Sequence, residues 1–131
     1  MVGGFVIPIN DLQGKIYQAL NSLDIDVYDE VVEEASLPLI NIGDYTISNY
    51  EYKDKGFSFN WNIGIYTEYE GKKQVNELTS KVIKCMYELI EVNLSNFYFI
   101  DDITLNEAQI TRNEGYYVAN LSIKIDIIQE V

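Results

Sequence analysis

A chain of 131 residues with 21 acids, 9 bases, no histidine and one cysteine leaves few kinds of chemistry open. The missing histidine removes Ser-His and Cys-His nucleophile pairs and histidine-ligated metals. A lone Cys85 removes an intramolecular disulfide and fits a reducing compartment, while the net charge of -12 opposes phosphate binding.

Length and a 47% apolar content fit one globular domain, taken here as residues 1–131, large enough to bury a core unaided. No apolar run approaches the roughly 18 to 20 residues that span a bilayer. Met1–Pro8 has no Lys or Arg and is too short for a secretory signal. With Phe5, Val6 and Ile7 apolar, residues 1–9 are expected to form an added edge strand or an N-terminal arm that packs on a neighbouring subunit, with Phe5 as an apolar contact. Eighteen Ile and 12 Asn against one Arg and four Ala fit a low-GC genome.

Asn10 or Asp11 is placed to cap a first helix, with Gln13 as capping-box partner of Asn10. Leu12, Ile16, Ala19, Leu20 and Leu23 then recur at helical spacing and define its buried face. Ile25, Val27, Val31 and Val32, with acids between them, predict a short extended piece. Leu37–Ile42 is a nearly continuous apolar run, as in a strand covered on both sides, with Pro38 at its start.

Residues 44–56 are polar and turn-rich and predict a long loop or protruding hairpin. The next segment alternates cleanly: Phe57, Phe59, Trp61, Ile63 and Ile65 point one way, Ser58, Asn60, Asn62 and Gly64 the other. Lys72 to about Val92 carries the stripe Val75, Leu78, Val82, Met86, Leu89 and Ile90 and predicts the longer helix. Residues 97–111 form a less regular strand, expected to break at Asp101-Asp102. Residues 117–127 alternate with Tyr117 to Ile127 inward and Asn120, Ser122, Lys124 and Asp126 outward. Asn113-Glu114-Gly115 supplies the turn between them. The sum is an α+β domain, a mainly antiparallel sheet with two helices packed on one face.

No catalytic, cofactor or metal residues emerge. Cys85 falls on the apolar side of the second helix and reads as a small buried hydrophobe. Asp24, Asp26, Asp29 and Glu30 lack the central glycine and terminal Glu of a calcium loop, so a solvated acidic turn is the better account. Asp101 and Asp102, as strand neighbours, should point to opposite faces. The aromatic loop stands out: Tyr45, Tyr50 and Tyr52, with Lys53 and Lys55, either fold back on the sheet or offer an assembly contact. The acidity has two functional readings besides solubility: a DNA mimic that fills a basic groove, or the wall of a channel along which DNA slides.

Taken in order, the helix Leu12–Leu23, Val27-Tyr28-Asp29-Glu30, Leu37-Pro38-Leu39-Ile40, Phe57-Ser58-Phe59-Asn60-Trp61-Asn62-Ile63, the helix within 71–90 and the closing strand 116–128 resemble the tail-completion, or tail-terminator, proteins of siphophages. The resemblance covers roughly residues 10–128. Family members often place an aromatic just after the proline, where this chain has Leu39. The resemblance implies a non-enzymatic virion protein forming a ring, typically a hexamer, at the head-proximal end of the tail. Its implied partners are further copies of itself, the tail-tube protein and a head-completion or connector protein, with DNA passing through as a non-specific passenger. A head-closure or neck protein, and an acidic DNA-mimic inhibitor, are the alternatives.

Overall fold

Two strands of strictly alternating character set the architecture: β3 (Gly56–Glu68) and β5 (Tyr116–Gln129) pair antiparallel along their whole length. Their register sets Phe59 opposite Ile125, Trp61 opposite Ile123, Ile63 opposite Leu121 and Ile65 opposite Ala119. All eight are buried, and full burial of each large side chain contributes about 1.5–3 kcal/mol. A computed structural model describes residues 6–30, 35–51, 55–68 and 71–130.

Around this pair stand β1 (Asp26–Tyr28) and β2 (Leu39–Asn49) on one side and β4 (Tyr98–Asn113) on the other, in the order β1-β2-β3-β5-β4. All pairings are antiparallel except β1 with β2. Helices α1 (Ile9–Asn21) and α2 (Lys73–Tyr87) cover one face. They bury Leu12, Ile16 and Leu20 from α1 and Val75, Leu78, Val82 and Met86 from α2 against the sheet. The α+β class expected from the sequence is the one observed. Cys85 packs half-buried against this core, where desolvation, helped by Glu88, raises its thiol pKa.

Three expectations are corrected, and each has a local cause. Residues 44–49 are strand, not loop, so the β2–β3 connection shrinks to 50–55. A bulge at Gly43-Asp44, opposite Asn62, slips the alternation by one residue, so Ile40 and Ile42 share a face with Tyr45 and Ile47. Gly43 is required there, because a Cβ would lie 2.9 Å from the Asn62 carbonyl oxygen. The second helix stops at Tyr87 instead of continuing to about Val92. Glu91 adopts φ 75, and its N–H donates to the Ile100 carbonyl, 2.7 Å away, turning the chain onto the edge of β4. Finally, β4 does not break at Asp101-Asp102; bulges there and near Asn106 let it continue.

The start of α1 also differs. Pro8 is its N-cap, and neither Asn10 nor Asp11 caps it. The Asp11 carboxylate instead accepts hydrogen bonds from the backbone N–H and hydroxyl of Ser95, at 2.8 and 3.1 Å. Asp11→Ala is therefore expected to cost about 1 kcal/mol in urea denaturation. Asn10→Ala, at an exposed position, should change stability by less than about 0.5 kcal/mol.

Candidate functional site: one end of the sheet

At one end of the sheet the register brings Asn49, Phe57, Ile127 and Ile100 level across four strands. Backbone hydrogen bonds tie the connecting segments together there. Tyr50 N–H donates to Gly56 at 3.2 Å, Gln129 N–H to Lys55 at 2.9 Å and Glu130 N–H to Phe97 at 2.8 Å. The Gln129 side chain donates to the Asn96 carbonyl, and the Asn96 side chain to the Val6 carbonyl, each at 3.0 Å. Tyr50 and Lys55, the tight turn Ser95–Phe97, Gln129-Glu130 and Val6 thus form one surface.

Phe97 is the most conspicuous side chain on it. It is 76% exposed and holds φ 67, directly after Asn96 at φ 60. A left-handed backbone costs a bulky residue about 1–2 kcal/mol, and solvent exposure returns nothing for the aromatic area. Strain of this kind collects where a surface is shaped for contact.

Below it, on the helix-free face, lies a carboxylate cluster. Asp126 is 2% exposed and accepts a 2.5 Å hydrogen bond from the Ser58 hydroxyl, its neighbour in register. Lys124 Nζ stands 3.8 Å from its other oxygen. Burial raises the Asp126 pKa, the charges of Asp102 and Asp101 raise it further, and Ser58 and Lys124 oppose them. The Tyr50 hydroxyl donates to Asp101 at 3.1 Å and its pKa is pushed up to about 12, by burial first and then by the Asp101 bond and the nearby carboxylates. Lys124 also lies 6.0 Å from the Tyr50 ring centre. Nothing in the set is a poised nucleophile; the arrangement holds the β2–β3 turn against the sheet.

The residues singled out from the sequence separate. Tyr45 belongs to β2 and stacks on Trp61 at 4.3 Å between ring centres. Tyr50 folds back onto the sheet. Lys55 sits exposed at the turn, its carbonyl held by Gln129. Tyr52, Lys53 and Phe5 lie outside the described residues. Sequence reading placed Asp126 on the outward face, where it lies, but missed its burial there and missed that Asp101 and Asp102 both act on it. The bulge defeats the rule that strand neighbours point to opposite faces. Phe97 carried no signal, because backbone strain is invisible in a segment without glycine.

No protein-family model matches the chain, and no curated protein does. Among solved structures, a chain of the virion of a native gene transfer agent particle matches with a TM-score of 0.72. The two chains share one fold. The match covers 92% of this chain and 97% of that one, at 17% identity.

Asp126 gives this end of the sheet a measurable pH signature. With its folded pKa raised, the ionised carboxyl lowers stability at neutral pH. That cost is relieved as pH falls through the raised value toward the ordinary carboxylate range near 3.9. Asp126→Asn keeps an acceptor for Ser58 and should stabilise the protein by on the order of 1 kcal/mol at pH 7. Denaturant melts of both proteins should converge as pH is lowered to about 4.

Proposed function

We propose that the protein is a structural, non-enzymatic virion subunit: a tail terminator that forms a ring, typically of six copies, at the head-proximal end of a long phage tail. There it stops tube polymerisation and joins tail to head, and DNA passes through it. The observation that carries this reading is the fold shared, nearly end to end, with a chain of a virion particle. The order of helix, strands, helix and hairpin that resembles the tail-completion proteins points the same way.

Surface chemistry supports it. The helix-free face presents Asn60, Asn62, Asn120 and Ser122, with Asp102 and Lys124 nearby, in a chain of net charge -12. Such a face offers hydrogen bonds without a phosphate-binding array, which suits a wall past which DNA moves. The end bearing Phe97, Tyr50 and Lys55 fits contact with the tail tube or the head-side connector, as exposed aromatics do at protein interfaces.

Adding the purified protein to growing tubes of the tail-tube protein from the same genome tests the reading. Electron microscopy should show a ring at one tip and halted elongation. Attachment to heads without effect on tubes would favour a neck protein, and tight, salt-sensitive one-to-one binding to a basic enzyme would favour a DNA mimic; either result overturns the terminator reading. Phe97→Gly separates contact from folding. It should raise stability by about 1 kcal/mol by relieving the left-handed backbone, yet weaken attachment to its docking partner at least tenfold.

A further inference from the structure

We propose that copies of this protein join by continuing the β-sheet from one chain to the next: Tyr45–Asn49 of β2 pairs antiparallel with residues 108–112 of β4 in the neighbouring copy, with Ile47 opposite Ile110. The pairing builds on the assembly reading above, and names the surface by which a second copy of this chain is held.

Both outer edges of the sheet are half closed. Along β2 the outer edge is occupied by β1, but only at Leu39–Asn41. Along β4 the first half is covered: Asn93 bridges Phe99, Leu94 N–H donates to Tyr98, and Ile100 N–H to Val92. The next outward donors are also satisfied, Ile103 N–H by the Asp102 carboxylate and Leu105 N–H by the Tyr87 hydroxyl. Among the described residues, 45–49 of β2 and 107–113 of β4 have no strand beside them. These open stretches lie on opposite sides of the sheet and at opposite ends.

Free edges are normally guarded by Lys, Pro or bulges. Here the bulges at 43–44, 101 and 106 all stop short of the open stretches, which contain neither Lys nor Pro. Charge is nearly absent too. In a chain of net charge -12, residues 45–49 carry none and 107–113 carry Glu107 and Arg112, which cancel. Both stretches also put apolar groups on the helix side of the sheet: Tyr45 and Ile47, each 37% exposed, on β2, and Ala108 and Ile110 on β4.

Direction and register agree. β2 and β4 run opposite ways in the sheet, so two copies side by side in the same orientation present antiparallel edges. Centring Ile47 on Ile110 keeps like faces together and uses all five residues of each stretch, Tyr45 facing Arg112 and Thr46 facing Thr111. Within one copy Tyr45 is level with Trp61 and Ile123, while Arg112 is level with Tyr117, six residues lower on β5. Each new copy therefore advances about 20 Å along the strands and about 19 Å across four of them. A closed ring built on that step tilts its strands by about 45° to the axis, close to the range of closed sheets. The helix layer then takes the longer outer circumference, and the Asn- and Ser-rich face turns inward. Closure leaves no edge exposed.

Cross-linking tests the pairing. Ile47→Cys with Ile110→Cys, in a Cys85→Ser background, is oxidised both as free concentrated protein and bound at tube tips. The two cysteines of one chain sit on opposite edges of the sheet, too far apart to join. A ladder of covalent oligomers from the double variant, absent from either single variant, is expected. No ladder, or the same ladder from a single variant, overturns the pairing. Ile47→Lys should keep the far-ultraviolet circular dichroism and lose association, and adding Ile110→Glu should restore it; a folded Ile47→Lys that still assembles also overturns the pairing. A ladder without capped tubes would sink the terminator reading and leave the pairing standing, and capped tubes without a ladder the reverse.

Discussion

The register of β3 on β5 is the constraint on which the rest of the molecule depends. Because side chains alternate along both strands, a slip of one residue would turn Phe59, Trp61, Ile63 and Ile65 to the polar face, away from their partners on β5. The fixed register gives one face to α1 and α2 and leaves the other to Ser58, Asn60, Asn62 and their neighbours. It also places Asp126 beside Ser58, which buries a carboxylate where β2 turns into β3. The candidate surfaces at the end and along the edges of the sheet inherit their positions from this pair.

What could be read from the sequence follows the same logic. β3 and β5 alternate without interruption, so their faces were legible from the residues alone, as were the apolar stripes of α1 and α2. Interruptions were legible only in part. At Gly43-Asp44 and at Asp101 one extra residue shifts the phase, making Tyr45 and Ile47 look like loop residues and making Asp101 and Asp102 look divergent. A bulge is a pairing between two strands, and a single strand's pattern carries little trace of it. The strain at Phe97 and the diversion of the chain at Glu91 arise from tertiary hydrogen bonds to Glu130 and Ile100, and no local propensity announces them.

On the proposed reading, function enters through assembly. The carboxylates cluster without a poised base or nucleophile, and the raised pKa values of Asp126 and of the Tyr50 hydroxyl come first from burial where the turn is secured. The fold shared with a virion chain, and the hydrogen-bonding open face, fit the proposed part in a larger object. The sheet edges suit the same role: protection is spent on β4 from Phe99 to Leu105 and on β2 from Leu39 to Asn41, and withheld where a neighbouring copy would pair. A sheet guarded at only half of each edge specifies both the partner and the register.

Backbone amide hydrogen exchange, compared between the free chain and the ring at a tube tip, tests this account most directly. The account predicts that assembly slows exchange strongly at alternate outward amides of Tyr45–Asn49 and of residues 108–112, with little change in α1 and α2. Fast exchange persisting at both stretches, with new protection confined to the helices, would contradict it.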